Sequence, residues 1–298
     1  MKEKFSGIWP AMFTPINNDG EPALDQVEKL VELFISQKLG GIYILGSTGQ
    51  GLLFTEEQRK QVTRRVAGIS KGRIPIIVQV GALTTAEAVR LARYAEQCGV
   101  DAISSVGPVY YSGNAAMALE HYKGIASSTQ LPFFPYQLGE NFIPGDTIQF
   151  VNQLLNIPHI AGMKLTTNQL LEISSIHNYA GEKLKLFSGS DELFCHASLC
   201  GTVGAIGSFY NIWGLQCKQV LMEFKNGNYA LAQEFMLGFQ KVICKILPNS
   251  WTFFRKAMLL KYQIDIGEAK APLGNTQIEW EDEAVMNIFK EIESLAVH

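Results

Sequence analysis

The chain has 298 residues, 47% of them hydrophobic and 18% charged, and a formal net charge of −3. That length suits one large domain or two small ones, and so small a net charge gives no broad basic surface, which excludes a nucleic-acid binder. Five cysteines (Cys98, Cys195, Cys200, Cys217, Cys244) form no C-x-x-C pair and read as reduced core thiols of a cytoplasmic protein, and His196 and Cys200 lack the second pair a metal site needs.

The first segment, MKEKFSGIWP, has no apolar core of signal-peptide length. Short apolar runs then recur in order: WPAMFT (9–14), GIYILG (41–46), PIIVQVG (75–81), DAISSVG (101–107), PFFPYQ (132–137), IAGMKLT (160–166), LKLFSG (184–189) and VGAIGSF (203–209). The stretches between them carry helical periodicity. LDQVEKLVELFISQ places apolar residues at Leu24, Val27, Leu30, Val31, Leu33 and Phe34, and TAEAVRLARYAEQCG opens on Thr85 and stops at Gly99. Glu140–Thr147 reads as loop. Residues 193–217 carry no Asp, Glu, Lys or Arg, but their four glycines, His and Asn favour a buried helix and strand over a membrane span.

Continuously apolar strands are buried on both faces, as in a parallel sheet. Eight strand–helix units predict a (β/α)8 TIM barrel, with a doubly wound open sheet as the alternative. QCKQVLMEF supplies the eighth barrel helix. ALAQEFMLGFQKVICKIL, FFRKAMLLKYQ and DEAVMNIFKEIESL predict a C-terminal helical extension. The expected division is a barrel over 1–225 carrying the active site and an extension over 226–298 packed on it.

Barrel chemistry sits at the carboxyl ends of the strands. The second segment ends in GSTGQG (46–51), which lacks the Lys-Ser/Thr of a phosphate loop. Its backbone N–H groups and the hydroxyls of Ser47 and Thr48 suit a carboxylate, or form a plain strand-to-helix turn. Lys164 lies inside the apolar sixth segment, and an amine drawn partly out of water is a nucleophile toward a carbonyl; the alternative is a lysine reaching out to solvent. Tyr136 ends the fifth segment, on the same rim, where a phenol can move a proton. Gly189, Asp191 and Glu192 end the seventh, as hydroxyl binders or a helix cap; Ser208 ends the eighth, and Tyr110 and Tyr111 the fourth. The five histidines do not fall in a catalytic pattern.

Taken together, GSTG, GPVYY, the fifth-segment tyrosine, GMKLT, GSDE and GAIGSFYN resemble the N-acetylneuraminate lyase and dihydrodipicolinate synthase family, class I aldolases on a (β/α)8 barrel, in order from about residue 6 to 295. The resemblance implies Lys164 as the Schiff-base lysine and Tyr136 as the proton shuttle. It implies Ser47 and Thr48 as holders of the keto-acid carboxylate, Ser47 also touching the tyrosine. Tyr110 becomes an interface tyrosine in the proton relay, and Thr166 a hydroxyl near the substrate chain. Asp191, Glu192, Gly189 and Ser208 match the set that holds a polyol tail. The arginine with which dihydrodipicolinate synthases grip a second carboxylate is missing from QLGENFIPG. The activity implied is reversible cleavage of N-acetylneuraminate to N-acetylmannosamine and pyruvate, with no cofactor, in a cytoplasmic homotetramer whose partner is a small molecule. The alternatives are a lyase for another 2-keto-3-deoxy sugar acid, a dihydrodipicolinate synthase-like enzyme, and a silent keto-acid binder. Gln50, Val109, Gly107, Phe209 and the LGENFIPG loop depart from the family pattern. Gln50, where Glu is common, is expected to change structure more than function.

Overall fold

A computed structural model of the chain describes residues 4–111, 114–138, 146–274 and 279–296. Eight strands follow one another: β1 (Gly7–Pro10), β2 (Ile42–Ile44), β3 (Ile76–Gln79), β4 (Ala102–Val106), β5 (Phe133–Leu138), β6 (Gly162–Thr166), β7 (Lys185–Ser188) and β8 (Gly204–Gly207). All pair in parallel, in the order β1-β8-β7-β6-β5-β4-β3-β2. A bridge between Ala11 and Tyr43, with Met12 N–H donating to the Tyr43 carbonyl at 2.8 Å, joins the two ends. This is the (β/α)8 barrel that the strand count predicts, and closure rules out the open sheet.

The strands alternate between two apolar environments. Ile8, Ile42, Ile44, Ile76, Val78, Ile103, Phe133, Met163, Leu165 and Leu186 face outward into the layer shared with the helices. Trp9, Tyr43, Ile77, Ala102, Phe134, Phe187 and Ile206 face inward and form a separate cluster with Phe5. Period-two alternation sends every second residue of a strand to the barrel interior. Both faces are apolar, so the strands read as unbroken hydrophobic runs.

The helices alternate with the strands: α1 (Leu24–Ser36), α2 (Glu56–Ser70), α3 (Thr85–Gln97), α4 (Ala115–Ala126), α5 (Thr147–Leu154), α6 (Leu170–Ala180), α7 (Phe194–Leu199) and α8 (Tyr210–Lys225). Val27, Leu30, Val31 and Phe34 are the buried stripe of α1, as the periodicity predicts. Thr55 and Gln58 form a reciprocal capping box at the start of α2. Helix α3 differs by one residue from the sequence expectation. Thr84, in extended conformation, caps it by accepting the Glu87 N–H, and Thr85 is already helical. Residues 193–217 resolve into α7, β8 and the start of α8, and among the described residues no helix is long and apolar enough to cross a membrane.

Three further helices follow: α9 (Tyr229–Ile246), α10 (Ser250–Tyr262) and α11 (Asp282–Ala296). They pack on α8 and on one another, and α10 reaches the barrel mouth, where Phe254 lies 5.1 Å from Phe13 and 5.1 Å from Phe209 between ring centroids. The segment after α10 is tied to the same rim: the Lys270 N–H donates to Gln50 Oε1 at 2.6 Å and its ammonium to the Gly20 carbonyl at 2.8 Å. Gln50 therefore anchors the C-terminal segment, and it also lines the cavity at the mouth. The core-thiol expectation holds for Cys195 and Cys217, which are buried. Cys98 and Cys200 are half-buried, and Cys244 is exposed on the solvent side of α9.

Candidate active site

The loop after β2 is shaped by close backbone approach. Leu45 turns the chain off the strand at φ +60°, a left-handed conformation that costs a branched residue energy and is found where surroundings enforce it. Gly49 and Gly51 then pack where side chains would collide. A Cβ on Gly49 would come within 2.8 Å of the Met12 carbonyl oxygen, and one on Gly51 would overlap the Leu45 carbonyl. Thr14 Oγ1 holds the Gly49 carbonyl at 2.7 Å. Among the described residues no group accepts from the backbone N–H of Ser47 or Thr48. The side chain of Thr48 meets Ser208 on β8's end, Oγ1 to Oγ 2.6 Å. Donors from two loops thus converge, an arrangement suited to a carboxylate.

Lys164 projects inward from β6 and is 5% exposed. Its register partner on β5 is Tyr136 and on β7 is Phe187. The amine stands 4.0 Å from the centroid of the Tyr136 ring and 4.8 Å from that of Tyr43. Burial pushes the Tyr43 phenol far above its ordinary value although it donates to Ser104 Oγ at 3.0 Å, so Tyr43 is a neutral wall. The Thr166 hydroxyl donates to Tyr136 Oη at 3.3 Å. Gly189 closes this corner: a Cβ there would overlap Thr166 Oγ1 and come within 3.1 Å of Lys164 Cε. Lys164, Tyr136, Thr166 and Gly189 are therefore one cluster.

Asp191 sits deeper than a rim position suggests, 5% exposed. Its Oδ2 accepts the Phe209 N–H at 2.8 Å, and any side chain on Gly207 would overlap its carboxylate. Burial pushes this carboxyl up to about 7, against the pull of the Phe209 N–H and Lys164 and with the push of the Glu192 charge. Glu192 is half-buried, and its backbone carbonyl accepts from Gln240 of α9 at 2.9 Å. Ser208 joins two parts of the site, its side chain on Thr48 and its backbone beside Asp191. Tyr110 stands apart: it is 80% exposed, and its ring contact is with neighbouring Tyr111 at 5.0 Å.

A cavity of about 710 Å³ opens above this cluster. Ser47, Thr48, Tyr136 and Ser208 line it, whereas Lys164 lies beneath Tyr136 rather than on its surface. Sequence reasoning missed several of its walls. Gln79, buried at the end of β3 with an unpartnered Oε1, obeyed the same strand-end rule as Tyr136. Trp251 and Phe254 come from α10, where periodicity gives a helix but not the face it turns to the mouth, and Leu273 comes from the segment beyond it. Of the LGENFIPG loop only Leu138 is described; residues 139–145 lie outside the described residues. His121 is structural, bonded to Thr85 Oγ1 at 2.9 Å and Ser105 Oγ at 3.2 Å, and burial pushes its imidazole down. Among the described residues no three His, Cys, Asp or Glu side chains gather where they could hold a metal ion.

The model of the dihydrodipicolinate synthetase family matches residues 4–292. The chain belongs to this family. An N-acetylneuraminate lyase of Citrobacter koseri is 32% identical over 267 residues, 89% of each chain. Among solved structures, an N-acetylneuraminate lyase from Mycoplasma synoviae superposes with a TM-score of 0.85 at 27% identity, covering 98% of this chain and 97% of that one. A sialic acid aldolase from Ruminococcus gnavus shares the fold at a TM-score of 0.92 and 22% identity, with 98% of both chains covered.

Proposed function

We propose that the protein is a Schiff-base lyase that reversibly cleaves N-acetylneuraminate to N-acetylmannosamine and pyruvate. The observation that carries this reading is the Lys164 amine, buried in the barrel and held 4.0 Å over the ring of its register partner Tyr136. The lyase relatives at 32% identity support the substrate class, as does Glu192, since a carboxylate accepts hydrogen bonds from sugar hydroxyls. The lack of an arginine after Tyr136 argues against a substrate with a second carboxylate.

In this scheme the open-chain keto acid enters through the cavity, and its carboxylate takes the N–H groups and hydroxyls of Ser47 and Thr48. The Lys164 amine adds to the C2 carbonyl, and loss of water leaves a protonated imine. Tyr136, oriented by Thr166, takes the proton of the C4 hydroxyl. The C3–C4 bond breaks, its electron pair passes into the imine to give an enamine, and the sugar aldehyde departs. Protonation at C3 and hydrolysis release pyruvate and restore the amine. Gly189 lets Thr166 and Lys164 pack into one corner, and Asp191, Glu192 and Ser208 receive the hydroxyls of the substrate chain. Tyr110, exposed in a single chain, enters the relay only when a homotetramer brings another subunit against it.

The test is pyruvate release from N-acetylneuraminate, together with borohydride reduction in the presence of pyruvate. Wild type should turn over and gain a covalent mass at Lys164. Turnover without that mass would refute the imine. A second reading, the same chemistry on another 2-keto-3-deoxy sugar acid, is favoured by Phe209, a ring on the cavity wall where the resemblance leads one to expect threonine. A substrate panel separates the two.

A further inference from the structure

The cavity above Tyr136 has a second wall that the bond-breaking chemistry leaves unused. Leu247, Trp251 and Phe254 come to it from the C-terminal helices, Leu273 from the segment beyond, and Leu52 and Val109 from the barrel rim. Four of these large apolar side chains remain substantially exposed: Leu52 44%, Val109 42%, Leu247 56% and Leu273 39%. Contiguous exposed apolar surface beside polar groups marks a place that something covers.

The wall is held firmly. The Trp251 ring centroid lies 5.9 Å from that of Phe13 and 6.2 Å from that of Phe254, and Phe254 lies 5.1 Å from Phe209. Phe209 is fixed in turn by its N–H on Asp191. The Phe209 ring therefore meets the aromatic face of α10. The wall also shares one continuous cavity with Ser47, Thr48, Ser208 and Tyr136, and its volume of about 710 Å³ is in the range that encloses a whole small-molecule ligand. A molecule anchored by its carboxylate at the hydroxyl end has room to extend onto this wall. Hydroxyls laid against Trp251, Phe254 and Leu247 would go unpaired, whereas an acyl chain would be removed from water.

We propose that this wall is a subsite for an apolar acyl substituent on the sugar half of the substrate, longer than acetyl. This rests on the aldolase reading above, and the experiment separates the two. Pyruvate is condensed with N-acetylmannosamine and with N-butanoylmannosamine on the full chain, and kcat/KM is compared. Two added methylenes leaving water should favour the butanoyl sugar by about tenfold. Trp251→Ala should bring that ratio toward one, and Trp251→Phe should retain part of it. A wild-type ratio below one overturns the proposal, as does a Trp251→Ala variant that slows both sugars equally. A wild-type ratio near one, with Trp251→Ala changing the oligomeric state in light scattering, assigns the wall to a subunit contact and overturns it as well. Borohydride trapping of pyruvate is read in each variant. If wild type fails to trap, the aldolase reading falls, and calorimetric affinities for the same two sugars then decide the wall by the same ratio.

Discussion

The floor and the mouth of the barrel are built from the same strands and could hardly differ more. The floor is an aromatic plug: Phe5 lies 5.2 Å from Phe134, Trp9 5.6 Å from Phe187, and Phe134 6.0 Å from Phe187. One inward position further along the same strands, Phe134 gives way to Tyr136, and Gly162 to Lys164. The plug fills space with rings, its Trp9 indole N–H satisfied by the Ser6 carbonyl at 2.9 Å; the mouth has an amine, a phenol and hydroxyls that meet one another. The plug makes the mouth possible. Close aromatic packing below Lys164 directs its amine toward Tyr136.

Lys164→Met would sharpen this contrast most. Methionine keeps an unbranched stem of similar length and removes the nucleophile. Pyruvate release should fall by about 10⁴-fold or more, since the proposed imine nitrogen is gone. The urea midpoint should hold or rise, because a buried amine gives way to an apolar side chain. A variant with substantial turnover, or one that fails to fold, would break the division of labour.

Phe134→Ala should do the reverse. A ring 1% exposed and packed against two others leaves a cavity when truncated, costing about 3–5 kcal/mol of stability by urea denaturation. At low temperature the fraction that remains folded should still trap pyruvate at Lys164.

Both regions were legible in the sequence to unequal degrees. Lys164 stood out because a charged residue interrupts an apolar run, and the barrel stood out because eight such runs alternate with helical spacing. The plug did not, because an aromatic residue in a buried strand looks the same whether it faces the helices, like Phe133, or the interior, like Phe134. The depth of Asp191 was hidden for a related reason: it depends on Gly207, sixteen residues on, having no side chain. Trp251 and Phe254 were unreadable as cavity walls, since the angle at which α10 meets the mouth is set by packing over the whole chain.

Asp191 makes the mouth pH-sensitive in a way the plug is not. In the folded protein its carboxyl keeps its proton up to about 7, whereas an unfolded aspartate releases it at about 3.9. Between those values the folded state binds the extra proton. Stability contributed by this site is therefore complete below about pH 4, is lost as pH rises to about 7, and is flat above. The groups facing it are Glu192, Lys164, Tyr210 and Cys217, together with the N–H groups of Ser208 and Phe209. Asp191→Asn should abolish this slope, a change on the order of 3 kcal/mol between the two ends, read as the difference in urea stability at pH 5 and pH 8. An identical slope in the variant would show that water reaches the carboxylate.

The smallest effect is expected at Ser208, and it tests which half of the mouth this residue serves. Its hydroxyl and that of Thr48 share one hydrogen bond of 2.6 Å, which leaves one of their two protons free to point at a ligand. If that ligand is the keto-acid carboxylate, Ser208→Ala removes a donor to a charged group that is bound alike in ground and transition states. The KM for pyruvate in condensation should then rise about tenfold, with kcat within about twofold and the KM for the sugar unchanged. If the sugar's KM rises instead, Ser208 belongs with Asp191 and the hydroxyl tail, as the family resemblance implies. A fall in kcat with both KM values unchanged would place its proton on the reacting atoms and move the boundary between binding and chemistry across to β8.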